Sequence, residues 1–262
     1  MEDKIIHEYA LITGASGGIG FELATIMASK GHNLILVARN IEKLKEIAEV
    51  LSQKYKVDVQ YFQADLTLEK ERADLLSKFA ESNFIISILV NNAGFGDAGY
   101  FVETNWLKTN RMIQLNIVAL THLTRELLPA MVRKGKGRIL NVASIAGFMP
   151  GPLMSVYYAT KSFVISFSDA LNEELKETGV RVTAFCPGPV ETNFFNYAGA
   201  SEAKINKILR PASAKSVAHY GYKSMMKGKA RAIHGLLNTL MVYFINFVPS
   251  AVSNPVVKRL HS

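Results

Sequence analysis

The chain has 262 residues, of which 49% are hydrophobic and 20% charged, and a formal net charge of +8. That length and apolar content support one substantial core in a single α/β domain, and no repeat, low-complexity tract or linker divides it. The charge excess does not read as a nucleic-acid site, because no basic patch is interleaved with aromatic residues; the densest cluster, Arg133-Lys134-Gly135-Lys136-Gly137-Arg138, reads as a solvated loop between helix and strand.

Apolar runs at about 9–13, 33–38, 57–62, 86–91, 138–143 and 180–185 alternate with longer helical patterns. Such alternation predicts a doubly wound parallel sheet with helices on both faces. The near-continuous Val, Ile and Leu content of the runs predicts strands buried on both sides. A weaker seventh run covers Ala230-Arg231-Ala232-Ile233-His234, giving about seven strands. Between the first run and the first helical pattern stands Gly14-Ala15-Ser16-Gly17-Gly18-Ile19-Gly20. Gly14 permits a tight turn, Gly18 lets a pyrophosphate approach the backbone, and Gly20 lets helix pack on strand. The N-terminus of the following helix offers N–H donors and a partial positive charge to phosphate. An ordinary strand-to-helix turn needs a single glycine, so this spacing predicts nucleotide binding.

Further along, Tyr157 and Lys161 stand four residues apart in Tyr157-Tyr158-Ala159-Thr160-Lys161, which puts phenol and ammonium on one helix face. A neighbouring ammonium favours the phenolate and is expected to lower the tyrosine pKa from about 10 toward neutrality. A tyrosine so tuned serves as a general acid or base. Tyr158 is off that register and reads as packing. Cys186, the single cysteine, ends a strand-like run and reads as a small buried side chain.

These segments resemble the classical short-chain dehydrogenase/reductase family from about residue 8 to about residue 195. The family's Thr-Gly-x-x-x-Gly-x-Gly motif is matched by Thr13, Gly14, Gly18 and Gly20, and its Asn-Asn-Ala-Gly motif by Asn91, Asn92, Ala93 and Gly94. Its Pro-Gly after a strand is Pro187-Gly188, with Thr192 beyond. The resemblance implies a Rossmann-type sheet and an NAD(P)-dependent oxidoreductase acting between CH–OH and C=O groups. It implies a catalytic set of Asn116, Ser144, Tyr157 and Lys161. Tyr157 would exchange the proton on the substrate oxygen, and Ser144 would bond the developing oxyanion. Lys161 would lower the Tyr157 pKa and hold the nicotinamide ribose, and Asn116 would support a water chain to the lysine. The plain structural alternatives are a turn cap for Ser144 and an interior polar residue of a helix for Asn116.

By the same resemblance, cofactor contacts fall on Gly14, Ser16, Gly18, Ile19, Gly20, Arg39, Asp65, Leu66, Asn92, Ala93, Gly94, Pro187, Gly188, Val190 and Thr192, with Tyr157 and Lys161; no metal is implied. Ala38 occupies the place where NAD-preferring members carry an acid for the ribose 2′-hydroxyl, and Arg39 follows it. A guanidinium there suits a 2′-phosphate, so NADP (NADPH) is expected over NAD. Asp65 matches the adenine-contacting aspartate, with a turn or cap ahead of the third helix as its alternative. A regulatory protein that keeps the dinucleotide fold without chemistry is the alternative function. The complete catalytic set argues against it, because a sensor has no use for a phenol beside an ammonium.

Substrate loops are expected at about 145–155 and 189–228. Their apolar residues point to an apolar ketone, aldehyde or secondary alcohol, oxoacyl-type compounds included. The segment at about 232–257 is apolar and departs from the family's short glycine-rich tail. Its densest part, Leu236 to Val248, is about 13 residues long, short of the roughly 20 that span a bilayer. Asn246, Pro249, Asn254 and Pro255 interrupt the segment. The expectation is a helix packed on the protein over the cleft or at a subunit interface, burying some nine large side chains. An interfacial helix on an anionic membrane surface is the alternative, with Lys258-Arg259 in its favour. A homo-oligomer, dimer or tetramer, is expected. The charged opening Met1-Glu2-Asp3-Lys4 does not read as a signal peptide, so a cytoplasmic setting is expected.

Overall fold

Each of the seven apolar runs forms a strand in the computed structural model, which describes residues 8–82, 84–199, 211–245 and 248–261. The strands are β1 (Glu8–Thr13), β2 (Asn33–Ala38), β3 (Val59–Gln63), β4 (Ile85–Asn91), β5 (Gly137–Val142), β6 (Val180–Cys186) and β7 (Arg231–Ile233). Among the described residues they build one parallel sheet in the order β3-β2-β1-β4-β5-β6-β7. The chain runs outward from β1 to β3 and then returns to β1's other side as β4. That reversal opens a crevice at the carboxyl ends of β1 and β4, where ligands bind in sheets of this kind.

Helices cover both faces. On one side α1 (Gly18–Ser29), α2 (Ile41–Tyr55) and α8 (Ala214–Met226) set Leu23, Met27, Leu44, Val217 and Met225 against Ile12, Leu34, Leu36 and Leu140. On the other, α3 (Glu69–Glu81), α5 (Leu120–Arg133) and α6 (Ser155–Glu174) set Leu75, Phe79, Leu123 and Leu171 against Leu11, Ile35, Leu89, Ile139 and Val182. Local chemistry fixes the helix ends. The Asn40 side chain accepts from the Lys43 N–H at the start of α2, and Lys56 closes that helix in the left-handed conformation.

Three departures from the sequence reading have physical causes. Strand β3 is only partly buried, because it forms the edge of the sheet and has a neighbour on one side alone. Within the loop expected at about 189–228, residues Ala214–Met226 form α8, a scaffold helix packed on α1. The same stretch holds a two-residue parallel ladder, Val190–Glu191 with Ala212–Ser213, and the short helix α7 (Phe194–Ala198); residues 200–210 lie outside the described residues.

The third departure concerns the C-terminal segment. A helix forms as expected, α9 (Leu236–Ile245), followed by α10 (Ser250–His261), while Asn246 and Phe247 lie outside the described residues. The expected burial of its large side chains on this chain does not occur. Val242 is buried, but Leu236, Leu237, Leu240, Tyr243 and Phe244 face outward. The i, i+4, i+7, i+8 spacing does make one apolar stripe, and that stripe points away from the core. No helix among the described residues is long and apolar enough to cross a membrane.

Candidate active site

The crevice is organised around Thr13, the last residue of β1. Its hydroxyl donates to the Val90 carbonyl (3.2 Å) and accepts from the N–H groups of Asn92 and Ala93 (3.0 Å each). The Asn92 amide donates back to the carbonyls of Thr13 (2.9 Å) and Gly14 (3.2 Å). The glycine turn is thus tied to the end of β4. Gly14 and Gly18 have φ of +66° and +54°, and a Cβ on Gly20 would lie 2.3 Å from the Gly14 oxygen. These glycines are required by backbone conformation and close approach. Helix α1 opens at Gly18 with no side-chain cap and no acid in its first turn, which leaves N–H donors facing the crevice. A Cβ on Gly18 would meet the Thr192 methyl at 3.0 Å, so Thr192 stands across the turn. Ser16 and Ile19 lie in the same turn, half-buried.

Arg39 is exposed at the end of β2, and its charge reaches Asp65. Burial works to raise the Asp65 carboxyl; hydrogen bonds from Thr67 and the charges of Arg111 and Arg39 outweigh it and hold the group below the usual carboxylate range. Asp65 accepts from the Thr67 N–H (3.0 Å) and hydroxyl (2.7 Å) and pairs with Arg111 at 2.7 Å. It therefore builds the turn ahead of α3, within reach of the Arg39 charge. Leu66 sends its side chain into the core. An exposed guanidinium at Arg39, an uncapped helix end and a glycine cradle that a Cβ would fill together fit a dinucleotide phosphate.

Tyr157 and Lys161 lie on the buried face of α6. The Lys161 ammonium donates to the Val142 carbonyl at 2.8 Å and stands 5.8 Å from the centre of the Tyr157 ring. The Tyr157 hydroxyl is hydrogen-bonded with Ser144, which follows β5. Ser144 Oγ accepts from the Ala146 N–H (3.1 Å) and donates to the Pro187 carbonyl at 3.5 Å. Asn116 is buried in a π-helical turn, Gln114–Ala119, that joins α4 (Trp106–Ile113) to α5. Its amide nitrogen donates to the Phe95 carbonyl and the Thr160 hydroxyl (3.0 Å each), and its oxygen accepts from the Phe95 N–H at 3.2 Å. A Cβ on Gly94 would lie 3.0 Å from that oxygen and 3.6 Å from Lys161 Nζ. All four residues singled out for chemistry converge below Gly94.

The titration of Tyr157 differs from the sequence expectation. Burial pushes the Tyr157 phenol up to about 12, with the Ser144 hydrogen bond pulling the other way, and burial pushes Lys161 down to about 8. The pair sits in a dry pocket that penalises phenolate and ammonium alike, and the ammonium is aimed at Val142 rather than at the phenol oxygen. Desolvation therefore outweighs the charge that was expected to draw the phenol toward neutrality.

The surroundings of Tyr157 are apolar. Met112, Ala146, Met154, Ala198 and Val257 cluster with it, and Phe95, Met149, Phe194 and Phe195 pack against them. The Phe194 ring lies 5.2 Å from the Tyr157 ring. A Cβ on Gly96 would meet Phe194 (2.9 Å), Met154 (3.2 Å) and Tyr157 (3.3 Å), so the glycine lets Phe194 and Met154 meet beside the phenol. Val257 brings α10 into this cluster, and Asn238 of α9 rests on Gly188 of the Pro187-Gly188 turn. Phe95, Gly96, Thr160 and Val257 were not singled out in the sequence. Their signal is spatial, because each acts through a residue distant along the chain.

The family model for short chain dehydrogenases matches residues 8–203. The very-long-chain 3-oxoacyl-CoA reductase of Rattus norvegicus is 33% identical over 256 residues, spanning 92% of this chain and 77% of the relative. A short-chain dehydrogenase from Sphingobium yanoikuyae, solved in complex with NADPH, superposes with a TM-score of 0.81 at 32% identity, covering 94% of this chain and 97% of that one. The bulky-bulky ketone specific alcohol dehydrogenase of Comamonas testosteroni superposes with a TM-score of 0.77 at 32% identity, covering 93% and 95%. With a matched motif set, a doubly wound sheet and relatives of this extent, the chain belongs to the short-chain dehydrogenase family, NAD(P)-dependent oxidoreductases that act on CH–OH and C=O groups.

Proposed function

We propose that this protein is an NADP(H)-dependent reductase of apolar ketones, with oxoacyl-type substrates among them. The observation that carries the reading is the Tyr157 hydroxyl, hydrogen-bonded with Ser144 and walled by Met154, Phe194 and Val257. An apolar carbonyl compound entering that pocket would set its oxygen between the two hydroxyls. Bound NADPH would supply the hydride to the carbonyl carbon. Ser144 hydrogen-bonds the oxygen as negative charge gathers there, and Tyr157 delivers its proton to that oxygen. A phenol near 12 gives up a proton readily to an alkoxide, whose basicity approaches that of hydroxide, about 15.7 for the conjugate acid. The Lys161 ammonium stabilises the phenolate left behind, and at about 8 it can return a proton near working pH. Asn116 acts as a positioning residue, tying the Phe95 backbone to Thr160 of α6. Arg39 with no acid at position 38 supports NADP over NAD, as does the NADPH complex of the Sphingobium yanoikuyae relative.

The test is a substrate panel with NADPH: a long-chain 3-oxoacyl thioester, an aryl alkyl ketone and a polar keto sugar. The apolar compounds are expected to exceed the sugar by at least about tenfold in kcat/KM, about 1.4 kcal/mol. Gly96→Val is expected to raise KM selectively for the bulkier ketones. Preferential turnover of the keto sugar would overturn the substrate assignment.

A further inference from the structure

We propose that the outward face of α9 and α10 docks this protein on the surface of an anionic lipid bilayer. Leu236, Leu237, Leu240, Tyr243 and Phe244 are 46–77% exposed and fall on one stripe of α9, while Val242 faces the protein. On α10 the same division recurs: Val252 and Val256 are exposed one turn apart, and Ser253 and Val257 are buried. A surface helix of a globular protein normally turns its apolar stripe to the core. Here the stripe is turned out, and contiguous exposed apolar faces mark interaction sites. The surface extends beyond these helices, because the Lys258 ammonium lies 5.2 Å from the Tyr100 ring and Tyr100 leads into exposed Phe101 and Val102.

Charge chooses the occupant. Residues 203–262 contain ten Lys and Arg and no Asp or Glu, whereas the preceding 202 residues sum to two negative charges. On the two docking helices themselves the charged residues are Lys258 and Arg259 of α10, with no Asp or Glu on either helix. Arg231 is already paired with Asp169 of α6, and Glu103 is exposed next to Val102. A symmetric pairing of two copies through this face would set the same patch against itself and bring two acid-free cationic segments together. An anionic lipid surface meets both features at once, accepting the apolar stripe and neutralising the cations. Val257 and Asn238 connect the docking helices to the Tyr157 cluster and to Gly188, so the docked face lies next to the site itself.

The experiment is flotation of the 262-residue protein, purified without detergent, with vesicles of phosphatidylcholine alone or mixed with phosphatidylglycerol. The protein is expected to float with the mixed vesicles at least about tenfold more than with the neutral ones, and less as salt rises. The double variant Leu237→Glu/Phe244→Glu is expected to lose at least nine-tenths of that binding. Its turnover of a small water-soluble ketone should stay within about twofold of the parent, because neither residue touches the site. Leu240→Ser, checked for an unchanged melting temperature, guards against a folding defect and is expected to weaken binding as well. Flotation is read without turnover, so its failure leaves the reductase reading untouched. Absence of binding to both vesicle types, or undiminished binding by the variants, overturns the proposal. A dimer that the double variant splits, without vesicle binding, assigns the stripe to a second copy and also overturns it.

Discussion

Lys161 reaches past Tyr157: its ammonium donates to the Val142 carbonyl at 2.8 Å and stands 5.8 Å from the centre of the phenol ring. The lysine is thereby held in place before any substrate oxygen arrives, in a pocket dry enough to bring it from its ordinary 10.5 to about 8. That shift marks on the order of 3 kcal/mol of penalty on the charged form.

The penalty has a direction in pH. Between about 8 and 10.5 the unfolded chain holds the lysine proton more tightly than the folded one, so stability rises with pH across that window. Tyr157 works in the opposite sense at higher pH: the folded protein keeps the phenol proton up to about 12, the unfolded chain only to 10, so stability falls from about 10 upward. Lys161→Met, which keeps the length and removes the charge, is expected to melt at or above the parent's temperature at pH 7 while losing turnover. Thermal unfolding of the two proteins checks this; a drop of several degrees in the variant would contradict the burial account.

Cofactor choice rests on Ala38 and Arg39. With the guanidinium exposed at the end of β2 and no acid at position 38, NADPH is expected to exceed NADH by at least about tenfold in kcat/KM, about 1.4 kcal/mol. Ala38→Asp combined with Arg39→Leu is expected to reverse the order. Steady-state kinetics with both cofactors decide it, and equal efficiency in the parent would sink the assignment.

Gly20 and Gly17 separate packing from mere flexibility. A Cβ on Gly20 would lie 2.3 Å from the Gly14 carbonyl oxygen, whereas Gly17 is extended and has nothing within 4 Å of that position. Backbone against backbone cannot yield, so Gly20→Ala is expected to cost about 1–3 kcal/mol or more. Gly17→Ala is expected to stay within about 0.5 kcal/mol. Denaturant unfolding compares them directly.

The fold was legible because its signals are local. Apolar runs of strand length, the turn around Gly14, Gly18 and Gly20, and the one-turn spacing of Tyr157 and Lys161 all read from neighbouring residues. What was not legible depends on contacts distant along the chain. The stripe on α9 shows its period in the sequence, but the period is the same whether the stripe faces core or solvent. The π-helical turn at Asn116 has no pattern of its own, and the tie from Asn116 to Phe95 and Thr160 spans 21 and 44 residues. The pKa direction of Tyr157 reversed the expectation because spacing reveals a neighbouring charge and not the dryness of the pocket around it.

In the proposed reaction Tyr157 delivers the proton while the rest of the site holds the cofactor. The direct measurement is NADPH consumption with an apolar ketone by Tyr157→Phe, paired with titration of NADPH binding to the same variant. Turnover is expected to fall by about 10²-fold or more, with NADPH affinity within about threefold of the parent. Near-normal turnover in Tyr157→Phe would contradict the account and place the proton donor elsewhere.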